Sequence, residues 1–183
     1  MPVSMVAQGP TESGRAMVNM ATATVPDRRY TADFANVLDT GIEFNLLFGQ
    51  RRITAKHALR SLIVIHFSYD AVPRFLESME KINDWRDTLV KAGVKSIDLD
   101  DLGEEPEQTV SLTANNLIVG FAGREACMDF YIASAFALHG MNKNMNLPVD
   151  GVVRISLPTV LFMAILEKIA KLGKKLPVEV KHD

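Results

Sequence analysis

Four cationic side chains are concentrated in one short segment, QRRITAKHALR at positions 50–60. They are Arg51, Arg52, Lys56 and Arg60. Guanidinium and ammonium groups at this density bind phosphates and other anions, and on nucleic acids they act by releasing counterions. No aromatic residue lies among them to stack on bases, which weakens a single-strand-binding interpretation. The segment predicts an anion-binding or nucleic-acid-binding site, and a solvated loop is the competing interpretation.

Other side chains that could carry out chemistry are scattered. Within IVIHFS the alternation predicts a structural role for His66, and the strand-like run around Cys127 predicts a buried thiol. Pairing Asp129 with Glu43 as general acid and base would be arbitrary without a predicted cleft to hold them. The histidines show no metal-ligand spacing; they are His57, His66, His139 and His182. We therefore predict no metal and no cofactor.

The acidic stretch DLDDLG at 98–103 imitates the start of a calcium-binding EF-hand loop. Position five of that loop would be Leu102 and position twelve Thr109, so two oxygen ligands are lacking. Six of the ten residues in 98–107 are acidic, and a glycine and a proline interrupt them. This composition predicts a solvated connector between two halves of the chain.

Sequence motifs and composition narrow the class of protein. The chain has no GxSxG, GxxxxGK[ST], GxGxxG or HExxH motif, so we predict that it is not an enzyme. A hydrophobic fraction of 48% over 183 residues predicts a folded domain, and a net charge of −2 disfavours nucleic-acid binding driven by overall charge. A single cysteine excludes an internal disulfide and predicts a reducing cytoplasm. The sequence contains no uninterrupted apolar run of about 18 residues, so no membrane-spanning helix is predicted. The N-terminus lacks the basic-then-apolar order of a secretory signal.

The basic segment lies between two predicted strands. A hairpin is predicted over 30–48 with its turn at Asp39-Thr40-Gly41, and SLIVIHFS at 61–68 predicts a buried strand. Ser68 then caps a predicted amphipathic helix over 69–92. The second half has the same order: two strand-like runs joined at 123–125, a short strand VVRIS, and a helix over 157–172 capped by Ser156.

The similar order of elements predicts an internal repeat of two ββ–loop–βα halves, about 30–92 and 110–173. Aligning FANVL with TANNL pairs Ala35 with Ala114, and a chance recurrence of the same order is the equal alternative. The predicted fold class is α+β, an antiparallel sheet with the helices packed on one face. We predict a single domain over 29–175, with a disordered tail at 1–28 and a short tail at 176–183.

The final helix is apolar almost all round in its first three turns. Such a helix is sandwiched inside its own chain or is buried against a partner subunit. We predict a homo-oligomer that uses this helix, and the alternative is that the first helix and the long loops cover it. The predicted interface residues are Val160, Leu161, Phe162, Met163, Ile165, Leu166 and Ile169.

Three segments of the chain resemble the SecB-type export chaperones: RRYTADF, TANNLIVGFAGREACMDFYIA and NLPVDGVVRISLPTVLFMAILEKI. The resemblance implies an antiparallel sheet packed on helices, a dimer of dimers, and apolar grooves that hold extended protein or peptide clients. The order of the intervening elements differs from that family, and no functional residue is transferred. The leading hypothesis is a non-enzymatic, oligomeric protein-binding or chaperone-like module. The alternative is an anion or nucleic-acid binder that uses 50–60.

Overall fold

The structure is a computed structural model that describes residues 17–18, 23–54, 58–68, 72, 90–91, 93, 97–103, 105–133, 146–147 and 149–173. These residues form ten strands and one helix. The strands are β1 (Met17–Val18), β2 (Arg29–Thr31), β3 (Phe34–Asp39), β4 (Glu43–Arg51), β5 (Leu59–Ser68), β6 (Gln108–Ala114), β7 (Asn116–Ala122), β8 (Glu125–Ile132), β9 (Asn146–Leu147) and β10 (Asp150–Pro158). The helix is α1 (Thr159–Gly173).

The strands form two four-stranded sheets and a two-stranded pair of β1 with β9. The first sheet has the order β3-β4-β5-β6 and the second the order β2-β10-β8-β7. Each is mixed, because β6 lies parallel to β5 and β2 lies parallel to β10. The prediction of an α+β fold with helices on one face of an antiparallel sheet is therefore wrong, and the protein is mostly β. The residue pattern of 110–122 predicted one strand, but this segment contains parts of two strands that belong to different sheets.

The chain passes from one sheet to the other at two corners, as in sandwiches whose strands cross steeply. Between β2 and β3 the Ala32 N–H donates to Ser156 O in the second sheet at 2.8 Å, and the next N–H donates to Gly49 O in the first sheet at 3.0 Å. Between β6 and β7, Asn115 bonds through its side chain to both backbone groups of Ala133. β2 precedes the β3-β4 hairpin of the first sheet but forms an edge of the second sheet. In the same way, β6 precedes the β7-β8 hairpin of the second sheet but forms an edge of the first sheet.

Both sheets are built around a hairpin with a left-handed glycine in its turn, Gly41 at φ 82° and Gly123 at φ 65°. Superposing these turns places β3-β4-β5 on β7-β8-β10. The pairing of Ala35 with Ala114 suggested by the sequence does not agree with this register, because Ala114 ends β6 and not β7. The duplication itself stays a prediction.

The main core lies between the sheets and includes α1, which contacts β3 of the first sheet and β8 and β10 of the second. Six of the seven residues predicted as a subunit interface are buried within the single chain, and Val160 is half-buried. The chain's own two sheets cover the apolar helix, so its composition no longer requires a partner subunit. Homo-oligomerisation stays a prediction, and its remaining support is the resemblance to the SecB-type chaperones.

Several predictions fall on positions that the structure does not describe. The helix predicted over 69–92 is outside the described residues except for Val72, which is buried in the main core, and Val90–Lys91. The tail at 176–183 also lies outside them. Within the predicted tail 1–28, Met17–Val18 forms β1 and Pro26 is buried against Gly151. Among the described residues, no helix is long and apolar enough to cross a membrane.

Candidate functional site

A groove of about 490 Å³ lies at the corner where β2 meets the end of β4 and the beginnings of β5 and β6. The sequence segment 50–60 contributes most of its wall. The lining residues are Thr31, Asp33, Gln50, Arg51, Arg52, Ile53, Thr54, Arg60 and Glu107. Three of the four cationic residues predicted from the sequence therefore lie around one groove, which we call the arginine groove. The fourth, Lys56, is outside the described residues.

A β-bulge places Arg60 in this groove. Gln50 pairs with Ser61 and Arg51 pairs with Leu59, so Arg60 is the extra residue with no opposite partner. Bulges bend a strand and redirect a side chain, and they occur often beside functional sites. In a regular ladder, one of two consecutive side chains would point to the other face of the sheet. The bulge thus affects the direction of Arg60, whereas Arg52 follows the end of β4, where strand alternation no longer applies.

Hydrogen bonds hold the backbone of the arginine groove in place. The Gln50 amide donates to Thr31 O at 2.8 Å, and the Arg51 N–H donates to an Asp33 carboxylate oxygen at 2.8 Å. The Tyr30 and Ser61 hydroxyls share a hydrogen bond of 2.6 Å. Burial raises the pKa of the Tyr30 phenol, so this hydroxyl remains neutral at physiological pH. The walls of the groove are therefore positioned by β2 as well as by β4 and β5.

The arginines differ in their partners. Arg51 forms an ion pair with Asp100, and its guanidinium carbon lies 6.0 Å from the centroid of the Phe34 ring. Arg52 forms an ion pair with Glu107. No ion pair or hydrogen bond joins the Arg60 side chain to another residue in the described part of the chain. Among the described residues, one guanidinium in the groove is therefore without an acidic partner.

The carboxylates come from the acidic connector 98–107, which was predicted to be a solvated connector. Its side chains are mostly exposed, but the connector is tied to the domain. The buried Asn36 amide donates to Asp100 O at 2.9 Å, and Asn36 in turn accepts a bond of 2.5 Å from the Lys168 ammonium on α1. Leu99 packs against the main core. The composition of the connector predicted its exposure correctly but gave no sign of these attachments.

A second polar cluster lies on the face of the second sheet that is opposite the core. Arg154 on β10 donates two hydrogen bonds of 2.6 Å to the carboxylate of Asp129 on β8, which is 4% exposed. The hydrogen bond to Asp129 raises the pKa of Arg154, so the guanidinium stays charged at all ordinary pH values. Burial raises the pKa of the neighbouring Tyr131 to about 12. This cluster is internally satisfied, whereas the arginine groove is not.

Sequence reasoning considered Asp129 but missed Arg154. Each is a charged residue in the middle of an apolar run, ACMDFYI and VVRIS, and that was the available signal. Glu43, once considered as a partner for Asp129, belongs to the other sheet and bonds His66 at 2.5 Å. In the described part of the chain, no group of three or more histidine, cysteine or acidic side chains is placed to hold a metal ion.

The chain was compared with known proteins. No protein-family model, no curated protein and no solved structure matches it. The resemblance to SecB-type chaperones thus stays an expectation from the sequence.

The half-buried Cys127 gives a prediction about reactivity. Burial raises the pKa of its thiol, so the thiolate is scarcer than for a free cysteine near neutral pH. We expect iodoacetamide to alkylate the folded protein roughly tenfold more slowly than the urea-unfolded protein at about pH 8. Mass spectrometry of timed samples measures both rates. Equal rates in the two states would show that the thiol is neither buried nor shifted.

Proposed function

We propose that this chain is a non-enzymatic protein-binding module that holds an acidic segment of a partner protein in the arginine groove. The observation that carries the proposal is Arg60, a bulge residue without an ion pair among the described residues, beside Arg51 and Arg52. An arginine fork binds a carboxylate through two parallel hydrogen bonds, which makes it selective for planar anions. A solvent-exposed guanidinium in a groove of this size supports such a contact.

The charges around the groove favour an acidic peptide over a nucleic acid. Three arginines are matched by three carboxylates, those of Asp33, Asp100 and Glu107. Counting the described residues, the groove therefore has no formal excess of positive charge to drive counterion release from a phosphate backbone. Its lining residues include no aromatic side chain for base stacking. The guanidinium groups of the groove are placed to bind carboxylates, and two of them already do so.

An apolar contact also supports a protein partner over a small free anion. Ile53 lines the groove and is fully exposed. A peptide segment with an apolar residue beside its acidic ones would bury Ile53, and a free phosphate or carboxylate would not. We propose a reducing intracellular setting for this interaction, supported by the single cysteine. Oligomeric, chaperone-like client binding is the broader form of the proposal, and solution mass measurement tests its oligomeric part.

The test is a binding titration that follows fluorescence polarisation of a fluorescein-labelled hexaglutamate peptide at low ionic strength. Arg60→Gln is expected to weaken binding about tenfold, because it removes one charged hydrogen-bond donor without breaking an ion pair in the described structure. Arg124→Gln makes the same chemical change on an exposed turn in the second sheet and serves as the matched control. Wild-type affinity is expected for that variant.

Two competitors separate the alternatives in the same assay. A single-stranded oligonucleotide that displaces the peptide at lower concentration than unlabelled hexaglutamate would favour the nucleic-acid alternative. Inorganic pyrophosphate that competes equally well would favour a small-anion site. Failure of the wild-type protein to bind the peptide, or equal losses in Arg60→Gln and Arg124→Gln, would overturn the proposal.

A further inference from the structure

We infer that the acidic connector is a built-in competitor for the arginine groove, and that a partner binds by exchanging its own acidic groups for Asp100 and Glu107. This inference rests on the proposed function and adds its regulation. In the chain alone, two of the three arginines are occupied by these carboxylates. A ligand that reaches only Arg60 gains one charged contact. A ligand that also takes Arg51 and Arg52 must displace the connector's side chains.

The two ion pairs are suited to exchange because they are exposed to solvent. The side chains of Arg51 and Asp100 are 38% and 64% exposed, and those of Arg52 and Glu107 are 40% and 52% exposed. Exposed pairs are weak because water screens the charges and because two long side chains lose freedom when they pair. An incoming carboxylate therefore replaces a contact of the same kind at little net cost.

The connector's backbone stays in place when its carboxylates are released. The Asp100 carbonyl is held by the buried Asn36 amide at 2.9 Å, and Leu99 is packed against the main core. At the other end, the Glu107 N–H donates to Leu59 O at 3.4 Å as β6 begins. Exchange thus requires only rotation of two side chains. The competing carboxylates remain close to their arginines, at a high effective concentration.

Tethered competition gives the groove a selectivity that an open site would lack. A ligand with one acidic group cannot offset the loss of two internal ion pairs, so it binds at Arg60 alone. A segment with three or more acidic groups replaces the carboxylates of Asp100 and Glu107 and also binds Arg60. The partner we infer is therefore a segment with clustered acidic residues, similar in composition to the connector at 98–107.

The experiment compares two double variants that carry the same change in net charge. In Asp100→Asn/Glu107→Gln the competing carboxylates are neutralised, and in the control Asp101→Asn/Glu105→Gln two exposed connector acids are neutralised that pair with no arginine in the described residues. Labelled hexaglutamate is expected to bind the first variant roughly three- to tenfold more tightly than wild type. The control is expected to stay within about twofold of wild type, as screening reduces the effect of distant charges. Glu107→Gln alone neutralises one of the two competing carboxylates, and a smaller gain in peptide affinity is expected.

The outcomes separate this inference from the proposed function. Equal gains in both double variants would show a general effect of net charge and would overturn the inference. Wild-type affinity in Asp100→Asn/Glu107→Gln, with Arg60→Gln still defective, would overturn the inference and leave the proposed function standing. Thermal unfolding followed by circular dichroism checks that all variants are folded, and the exposed positions predict little change in midpoint.

Discussion

Replacement of Arg154 by methionine is expected to lower the free energy of unfolding by about 3–5 kcal/mol, because it leaves the Asp129 carboxylate buried without its partner. Asp129 is 4% exposed and receives both of its 2.6 Å bonds from the Arg154 guanidinium. Methionine fills part of the space of arginine but donates no hydrogen bond. Urea denaturation followed by circular dichroism measures the loss. A change of less than about 1 kcal/mol would show that water reaches the carboxylate.

The first sheet suggests a rescue for that variant. When the two hairpin turns are superposed, the cross-strand pair Asp129–Arg154 coincides with the apolar pair Leu47–Val64. Asp129→Leu/Arg154→Val reproduces that pair, and replacing a buried ion pair by apolar side chains is often neutral or stabilising. We expect the double variant to lie within about 1.5 kcal/mol of wild type. A double variant as unstable as Arg154→Met would show that the second sheet depends on its charged pair.

The rescue has one further requirement, which concerns Tyr131. Its side chain is 2% exposed and the nearby Asp129 charge helps to raise the pKa of its phenol, so Asp129→Leu removes a polar neighbour of a buried hydroxyl. Addition of Tyr131→Phe to the double variant is expected to recover that loss. A triple variant less stable than the double variant would show that the Tyr131 hydroxyl has another partner.

Truncation of Phe162 to alanine is expected to cost about 3–5 kcal/mol of stability, because the ring is fully buried between the two sheets and leaves a cavity. Phe162 is 0% exposed in the single chain, and α1 contacts strands of both sheets. Equilibrium unfolding in urea measures the loss. Val160→Ala is the control on the same helix, and since Val160 is only half-buried its cost is expected to be about 1 kcal/mol.

The same measurement tests the predicted subunit interface. If α1 is buried by its own chain, the unfolding midpoint does not change when protein concentration is raised tenfold. If α1 is buried between subunits, the midpoint rises with concentration, because dissociation accompanies unfolding. A concentration-dependent midpoint that Phe162→Ala abolishes would restore the interface predicted from the sequence.

Local features of the fold could be predicted from the sequence. The turn at Asp39-Thr40-Gly41, the buried strand near 61–68 and the end of the last helix at Gly173 follow from residue type and period. Ser156 was predicted as the helix cap, but β10 continues to Pro158 and α1 begins at Thr159. Proline keeps the residue before it extended, which delays the helix.

Features that depend on contacts between distant segments could not be predicted. Whether 108–114 pairs with β5 or with β8 is decided by the packing of two sheets and not by its own composition. The arginines of the groove were grouped correctly because 50–60 is continuous in sequence. The bulge at Arg60 and the carboxylate partners were missed, since strand register and tethering of the connector are tertiary properties.

The reciprocal donation of edge strands also affects how the chain folds. The first sheet is incomplete until β6 has been synthesised, and β2 must wait for β10, which lies near the other end of the described chain. Neither sheet can close by itself, so stability is gained late and the loop-closure entropy of a long segment is lost before its contacts form. β2 consequently remains without its partner until β10 has been synthesised, and it is only three residues long. A short strand presents few unpaired backbone groups to other chains during that interval.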